Sequence, residues 1–232
     1  VTTTEQVQGP RQASIFEMYR ALVGVGIFCG LLIVTVFEVT KPIIAENRAR
    51  ALQEAVFNVL ERAESSTTFR YTNDGTFEKV TSDRAEGALV YAGYDEGGSL
   101  VGVALEAQSM GYADIITVLY GYSFEKDAIV GFKVLESKET PGLGDKIETD
   151  EDFLRNFESL DVSLTDDGDE LEHPIESVKG GEKEHPWQID AITGATISSV
   201  AVTHALRDSA AKWVPVLDAN RSAFVREEPS DG

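Results

Sequence analysis

Apolar positions change their spacing along this chain, and each change marks a different kind of element. Between Arg20 and Glu38 lies an uncharged run of 17 residues, Ala21 to Phe37. That is about 26 Å of helix at roughly 1.5 Å per residue. It is short for a bilayer crossing, but Tyr19 before it and Val39-Thr40 after it extend the apolar length. The expectation is an uncleaved membrane anchor, because no small-x-small cleavage site follows Phe37 and the helical pattern continues through Ile43-Ile44. A cleaved signal peptide and a buried soluble helix are the alternatives. Arg11 and Arg20 precede the run while Lys41, Arg48 and Arg50 follow it, so charge does not decide its orientation. Pro42 predicts a break or a new first turn. Beyond it Ile44, Leu52, Ala55, Val56, Val59 and Leu60 recur at helical spacing among charges, an amphipathic helix over 43–63. It is either a stalk against a partner or, as expected here, the first helix of the folded domain.

From Phe69 the period becomes two. Phe69–Tyr71 and Thr76–Val80 flank Asn73-Asp74-Gly75, a hairpin-turn signature. Ala88–Tyr91 and Leu100–Ala104 flank Asp95-Glu96-Gly97-Gly98, and Ile115–Tyr120 precedes Ile129–Leu135 as a third pair. Alternation bounded by such turns predicts an antiparallel sheet. Helical spacing returns at about 150–159 and 196–213. Sheet and helices segregated along the chain define an α+β fold.

Composition narrows the chemistry. The 232 residues carry a net charge of −20, which argues against nucleic acid and against docking on anionic lipid. The single cysteine, Cys29, excludes an internal disulfide, a CxxC pair and a cysteine-ligated iron–sulfur cluster. Residues 161–188 read as a long acidic loop. Its Asp166-Asp167-Gly168-Asp169-Glu170 lacks the order of a calcium loop, and His173 and His185 have no cysteine partners for zinc. No metal site and no catalytic side chain is expected. His204 reads as a packing residue, and core burial is the commoner fate of Trp187 and Trp213.

Two stretches carry the candidate chemistry. Asp190-Ala-Ile-Thr-Gly-Ala-Thr-Ile-Ser-Ser199 is a turn at Gly194 followed by a helix start rich in small hydroxyl residues, which can cap backbone N–H groups. Helix N-termini leave four N–H groups unpaired at the positive end of the dipole, a setting that suits phosphate. An ordinary capped helix reads the same way from these residues alone. Glu139-Thr-Pro-Gly-Leu-Gly144 is a tight turn whose glycines let backbone approach a flat ligand, although any strand-to-helix loop could look similar.

Taken in order, Asp-x-x-Thr-Gly-Ala-Thr resembles the flavinylation sequence of the FMN-binding domain shared by the G subunit of the Rnf complex and the C subunit of the sodium-pumping NADH:quinone oxidoreductase. Glu139–Gly144 and Gly111-Tyr112 match further signatures of that family in the family's order. The resemblance implies FMN attached to Thr196 through a phosphoester made by a dedicated flavin transferase, since an unactivated threonine is a poor nucleophile. Thr193, Gly194, Ala195, Ser198 and Ser199 would belong to the cofactor-binding residues around it, Thr193 standing where many relatives have serine. Glu139, Thr140, Gly142, Leu143 and Gly144 would lie against the isoalloxazine ring, and Lys179 is expected to approach the flavin or its phosphate.

The implied organisation is an N-terminal tail (1–18), a transmembrane helix (19–41), an amphipathic juxtamembrane helix (42–64), an FMN-binding domain (65–215) and a C-terminal tail (216–232). The implied role is a single-pass electron carrier of the bacterial cytoplasmic membrane, its flavin domain on the periplasmic side, among the other membrane subunits of an Rnf complex. The C subunit of the quinone reductase is the alternative within the family. A membrane-tethered binding or assembly protein with an unused flavin motif is the alternative outside it.

Overall fold

The structure, a computed structural model, describes residues 14–80 and 87–226; most of the expected N-terminal tail and residues 227–232 lie outside it. The chain divides into two compact units, Val1–Arg48 and Ala49–Gly232. Helix α1 (Ile15–Val59) begins in the first and ends in the second.

In the first unit α1 carries no charge between Ala21 and Phe37. Its most apolar window has a mean hydropathy of 2.5 with no residue buried, so the segment is long and apolar enough to cross a membrane. The hydroxyls of Thr35 and Thr40 donate to the carbonyls of Leu31 and Val36 at 2.7 and 2.8 Å, so neither is left unpaired where hydrocarbon would surround it. The break expected at Pro42 does not occur, and the boundary between 41 and 42 falls inside one helix. A lone proline removes one intrahelical hydrogen bond while its fixed φ remains helical.

In the second unit the last turns of α1 bury Leu52, Ala55, Val56 and Val59, one stripe at helical spacing. This is a domain helix and not a stalk. It covers one face of a seven-stranded antiparallel sheet built from β1 (Ser65–Tyr71), β2 (Phe77–Val80), β3 (Leu89–Tyr94), β4 (Leu100–Met110), β5 (Ile115–Ser123), β6 (Ala128–Glu136) and the two-residue β7 (Leu160–Asp161). The strand order is β2-β1-β3-β4-β5-β6-β7, and all three expected hairpins are present. After β6 the chain forms α2 (Glu151–Leu154), whose N-terminus is capped by Asp150 accepting from the Phe153 N–H at 3.0 Å. A tighter helical turn, Arg155–Phe157, follows directly.

Residues 161–188 are more ordered than a loop. Leu164 and Leu171 pair across the acidic turn, and β8 (Glu176–Lys179) runs parallel to β9 (Gln188–Ala191). Only residues 180–187 join that pair, less than the dozen or so a parallel connection ordinarily needs.

Helix α3 (Thr196–Ala219) packs on the face of the sheet opposite α1 and buries Val202, Leu206, Ala210, Val214 and Leu217, spaced by three or four residues. The C-terminal tail expected from 216 therefore starts inside this helix. Leu217 and Phe224 are both fully buried, and Tyr94 donates to the Phe224 carbonyl at 2.8 Å. Pro215 did not end the helix because a single proline can be carried within one, as at Pro42.

Candidate cofactor-binding site

The site forms where β9 turns into α3. Asp190 and Ala191 close β9, and Gly194 takes φ +88°, a backbone shape that favours glycine. Ala195 is the N-cap, and no side chain caps the helix. This corrects the expected role of the small hydroxyl residues. Ser199, fully buried, accepts from the Ile192 N–H at 3.1 Å and donates to the Ala195 carbonyl at 3.0 Å, so it ties the turn together. Ser198, also buried, donates to a carboxylate oxygen of Glu139 at 2.5 Å. Thr196 occupies the first helical position and is exposed.

Glu139 links three segments. Only 6% exposed, it receives Ser198 on Oε2 and the Ala113 N–H on Oε1 at 2.9 Å. The carboxylate thus joins the loop after β6 to both the β4–β5 hairpin tip and the first turn of α3. Two glycines are dictated by this approach. A Cβ on Gly144 would stand 2.4 Å from Glu139 Oε2 and 2.6 Å from Ser198 Oγ, and one on Gly111 would stand 2.5 Å from Glu139 Oε1.

Around this junction opens a cavity of about 340 Å³, within the usual range for small-molecule sites. Tyr112 lines it from the hairpin; Glu139, Thr140, Leu143 and Gly144 from the loop; and Gly194, Ala195, Thr196, Ile197 and Ser198 from the motif. Tyr112, Leu143 and Ile197 are 71%, 53% and 56% exposed, large apolar side chains with surface for a flat ring to cover. An uncapped 24-residue helix begins at Thr196 beside them and supplies unpaired N–H groups and a positive dipole end for a phosphate. The residues present therefore fit both halves of FMN.

Four expected site residues fall outside the cavity wall. Thr193 and Gly142 are exposed on the flanking turns, and Ser199 is buried behind the wall. Lys179 ends β8 opposite Ala191, exposed, and the parallel register keeps it level with the strand instead of the turn. Ile197 was not anticipated, and neither was Lys183, whose backbone N–H donates to Asp190 Oδ1 at 3.0 Å. Burial holds the Lys183 ammonium below its usual range, and the Asp190 charge opposes that shift.

Away from the cavity, Trp187 stacks on both His173 (3.7 Å, 9°) and His185 (4.4 Å, 5°). Rings so close and so parallel cannot share one face, so the indole is sandwiched. Trp213 is buried as expected, but His204 is exposed on α3, which corrects its reading as a packing residue.

Residues 111–211 match the FMN-binding domain family. Among solved structures, NqrC of Shewanella oneidensis superposes with a TM-score of 0.57 over 78% of this chain and 97% of that one, at 18% identity. The C subunit of the Na(+)-translocating NADH-quinone reductase of Parabacteroides distasonis does so with a TM-score of 0.55, over 79% and 94%, at 17% identity. These likenesses concern the fold alone. Fold, cavity and domain match together define an FMN-binding domain that follows an apolar helix.

Sequence relatives are more specific. The G subunit of the ion-translocating oxidoreductase complex of Escherichia coli K12 is 31% identical over 175 residues, 73% of this chain and 77% of that protein. Its namesake from Methanosarcina acetivorans is 37% identical over 57% of this chain, and the match spans 65% of its own length, just under two thirds. The G subunit of the proton-translocating ferredoxin:NAD(+) oxidoreductase complex of Clostridium ljungdahlii is 26% identical over 85% of this chain and 91% of that one. The chain belongs to the family formed by the G subunits of ion-translocating oxidoreductase complexes.

Proposed function

We propose that this chain is a membrane-anchored electron carrier holding FMN covalently on Thr196, as one subunit of an Rnf-type complex that passes electrons between ferredoxin and NAD and couples the flow to ion movement. The observation that carries the reading is the meeting of an exposed threonine, an uncapped helix N-terminus and an apolar-walled cavity within one turn of chain. The names of the sequence relatives support the complex, and the apolar helix supports the membrane anchor. Bound FMN supplies one- and two-electron transfer, chemistry no side chain here provides.

The chain's own residues bind, orient and shield. Thr196 would be the attachment point, and the uncapped first turn of α3 would offer its N–H groups to the remaining phosphate charge. Leu143, Tyr112 and Ile197, exposed on the cavity wall, would cover the ring and keep water from it. Glu139 fixes the distance between loop, hairpin and helix, and so the width of the cavity. The complete reaction belongs to the assembled complex. The flavin domain works on the extracytoplasmic side, where a covalent tether prevents loss of a cofactor that could not readily be replaced there. The modification is made by a separate flavin transferase. The C subunit of the quinone reductase is the alternative within the family, since the two solved C subunits above share the fold.

Intact-mass measurement of the full chain co-expressed with a flavin transferase tests this. An FMN-sized addition on the peptide containing Thr196, lost in Thr196→Ala, is expected. An unmodified Thr196 beside an active transferase overturns the reading and favours the tethered binding protein.

A further inference from the structure

The sheet has an edge that its own chain leaves largely unpaired. Outside β6 comes only the two-residue β7, which pairs with Ala128 and Ile129 and stops. The rest of β6, residues 130–136, has strand partners in β5 alone. Backbone groups of a strand point alternately to its two sides, so about half of the N–H and C=O groups in this stretch face away from β5. Among the described residues no hydrogen bond reaches them from that side. Cover is partial as well. A groove of about 390 Å³ lies open along Val130, Gly131 and Phe132, between the end of α1 on one flank and α2 with its following turn on the other. Val130, Phe132 and Leu154 are half-buried and give the groove apolar surface. Glu61 on the α1 flank and Glu158 on the opposite flank are exposed, and among the described residues neither has an ion-pair partner. Arg155, the cation of the wall, is already taken up by Glu151 and Asp152.

We infer that this edge is a docking site for an extended, basic segment of a partner protein, which joins the sheet as a further strand beside residues 130–136, in line with β7. The unpaired backbone selects the extended form, as in other strand additions. The apolar surface receives the side chains on one side of the added strand, and Glu61 and Glu158 receive its cations. A second copy of this chain does not suit the groove. Edge against edge, two copies would bring the same carboxylates together in a protein of net charge −20. The groove is also separate from the cavity around Thr196, since no residue lines both. A docked strand therefore leaves the cofactor site free, and the inference stands whether or not the chain carries FMN.

The probe is an end-capped peptide of alternating lysine and valine, about seven residues long to match 130–136, titrated against the full chain in non-ionic detergent at physiological ionic strength. Binding is expected to slow amide hydrogen exchange within 130–136 at least threefold, with β1 and β3 unchanged. Reversing both exposed carboxylates, Glu61→Lys with Glu158→Lys, should weaken binding at least tenfold. Methylating every backbone nitrogen of the peptide, which keeps its charges and removes its donors, should weaken it at least as much. A counterpart of alternating glutamate and valine should not bind. No binding at about 1 mM peptide overturns the inference, as does equal binding by the methylated or the acidic peptide, or protection that falls outside β6. If the double variant does not fold, the methylated peptide decides. Self-association of the chain that protects 130–136 without any peptide would make a second copy the occupant, and that too overturns the inference.

Discussion

The two faces of the sheet are closed in opposite ways. On the α1 face the helix end rests almost directly on backbone. A row of glycines, Gly93 and Gly102 paired between β3 and β4, Gly121 and Gly131 paired between β5 and β6, passes beneath Val59 and Leu60. Cβ atoms on Gly121 or Gly131 would each stand 2.3 Å from the Val59 carbonyl oxygen. On the α3 face the spacing is set by large side chains, Tyr94, Tyr120 and Tyr122 among them, with Tyr120 sharing a hydrogen bond of 2.8 Å with Ser209. The first face has no room to adjust, and the second has many side chains that can shift. The site is built on the adjustable face, where each turn of α3 is held by contacts that can be retuned singly.

The largest expected effects test that difference directly. Gly131→Ala should destabilise the domain by about 3 kcal/mol or more, at the upper end for overpacking, because backbone and not a side-chain tip must move. Leu206→Ala on the α3 face should cost about as much, within roughly 2–5 kcal/mol, by leaving a cavity. One added carbon on the first face would then equal three removed from the second. Chemical denaturation of the full chain in detergent measures both, and a Gly131→Ala chain as stable as wild type would end the distinction. Thr196→Ala, exposed at the helix start, should stay within about 0.5 kcal/mol of wild type.

A smaller effect is expected at the junction of site and fold. Glu139→Ala removes two charge-assisted hydrogen bonds and leaves the Ala113 N–H without its acceptor, about 2–3 kcal/mol. Glu139→Gln should recover most of this, since the amide can accept from Ala113 and donate to Ser198. Equal losses in the two variants would mean that the charge, not the bridging geometry, holds the junction. Trp187→Ala should cost about 2 kcal/mol in the same assay by removing both imidazole stacks, at about 0.5–1.5 kcal/mol each.

What the sequence made legible follows the same division. The hairpins were readable because alternation and turn residues such as Asn73-Asp74-Gly75 are local. The cavity was readable because Glu139–Gly144 and Asp190–Ser199 are contiguous stretches. The grip of the buried Asn156 amide on the Asp190 backbone was not, since it joins residues 34 apart and the bare sequence shows only an asparagine between charged and apolar neighbours. The glycine row was equally silent. Gly93, Gly102, Gly121 and Gly131 sit on four strands, and each alone reads as a weak strand residue. Only the register aligns them beneath α1. The parallel pairing of β8 with β9 was hidden because both strands are four residues long and β8 lies within an acidic stretch.

The smallest predicted effect concerns two neighbouring grips on one hairpin tip. Glu139 reaches Ala113 from a buried position, while Lys138 reaches Asp114 at 2.6 Å in the open. The hydrogen bond from Lys138, then the Ile115 N–H, holds the Asp114 carboxyl below its usual range, and the same bond holds the Lys138 ammonium above its own. The contribution of Asp114 is present above the unfolded carboxyl's pKa and is lost as pH falls through the folded one. That of Lys138 is present below the unfolded ammonium's pKa and is lost as pH rises through the folded one. The pair therefore acts across the middle of the pH range and vanishes at both ends, and salt screens it throughout. Lys138→Met should raise the Asp114 pKa, read by carboxyl NMR titration, but not fully, because the Ile115 N–H remains. The melting temperature should barely change, in contrast to Glu139→Ala. If Lys138→Met instead unfolds the domain as readily as Glu139→Ala, the hairpin tip is held from its exposed side. The buried carboxylate would then lose its place as the strut that sets the width of the cavity.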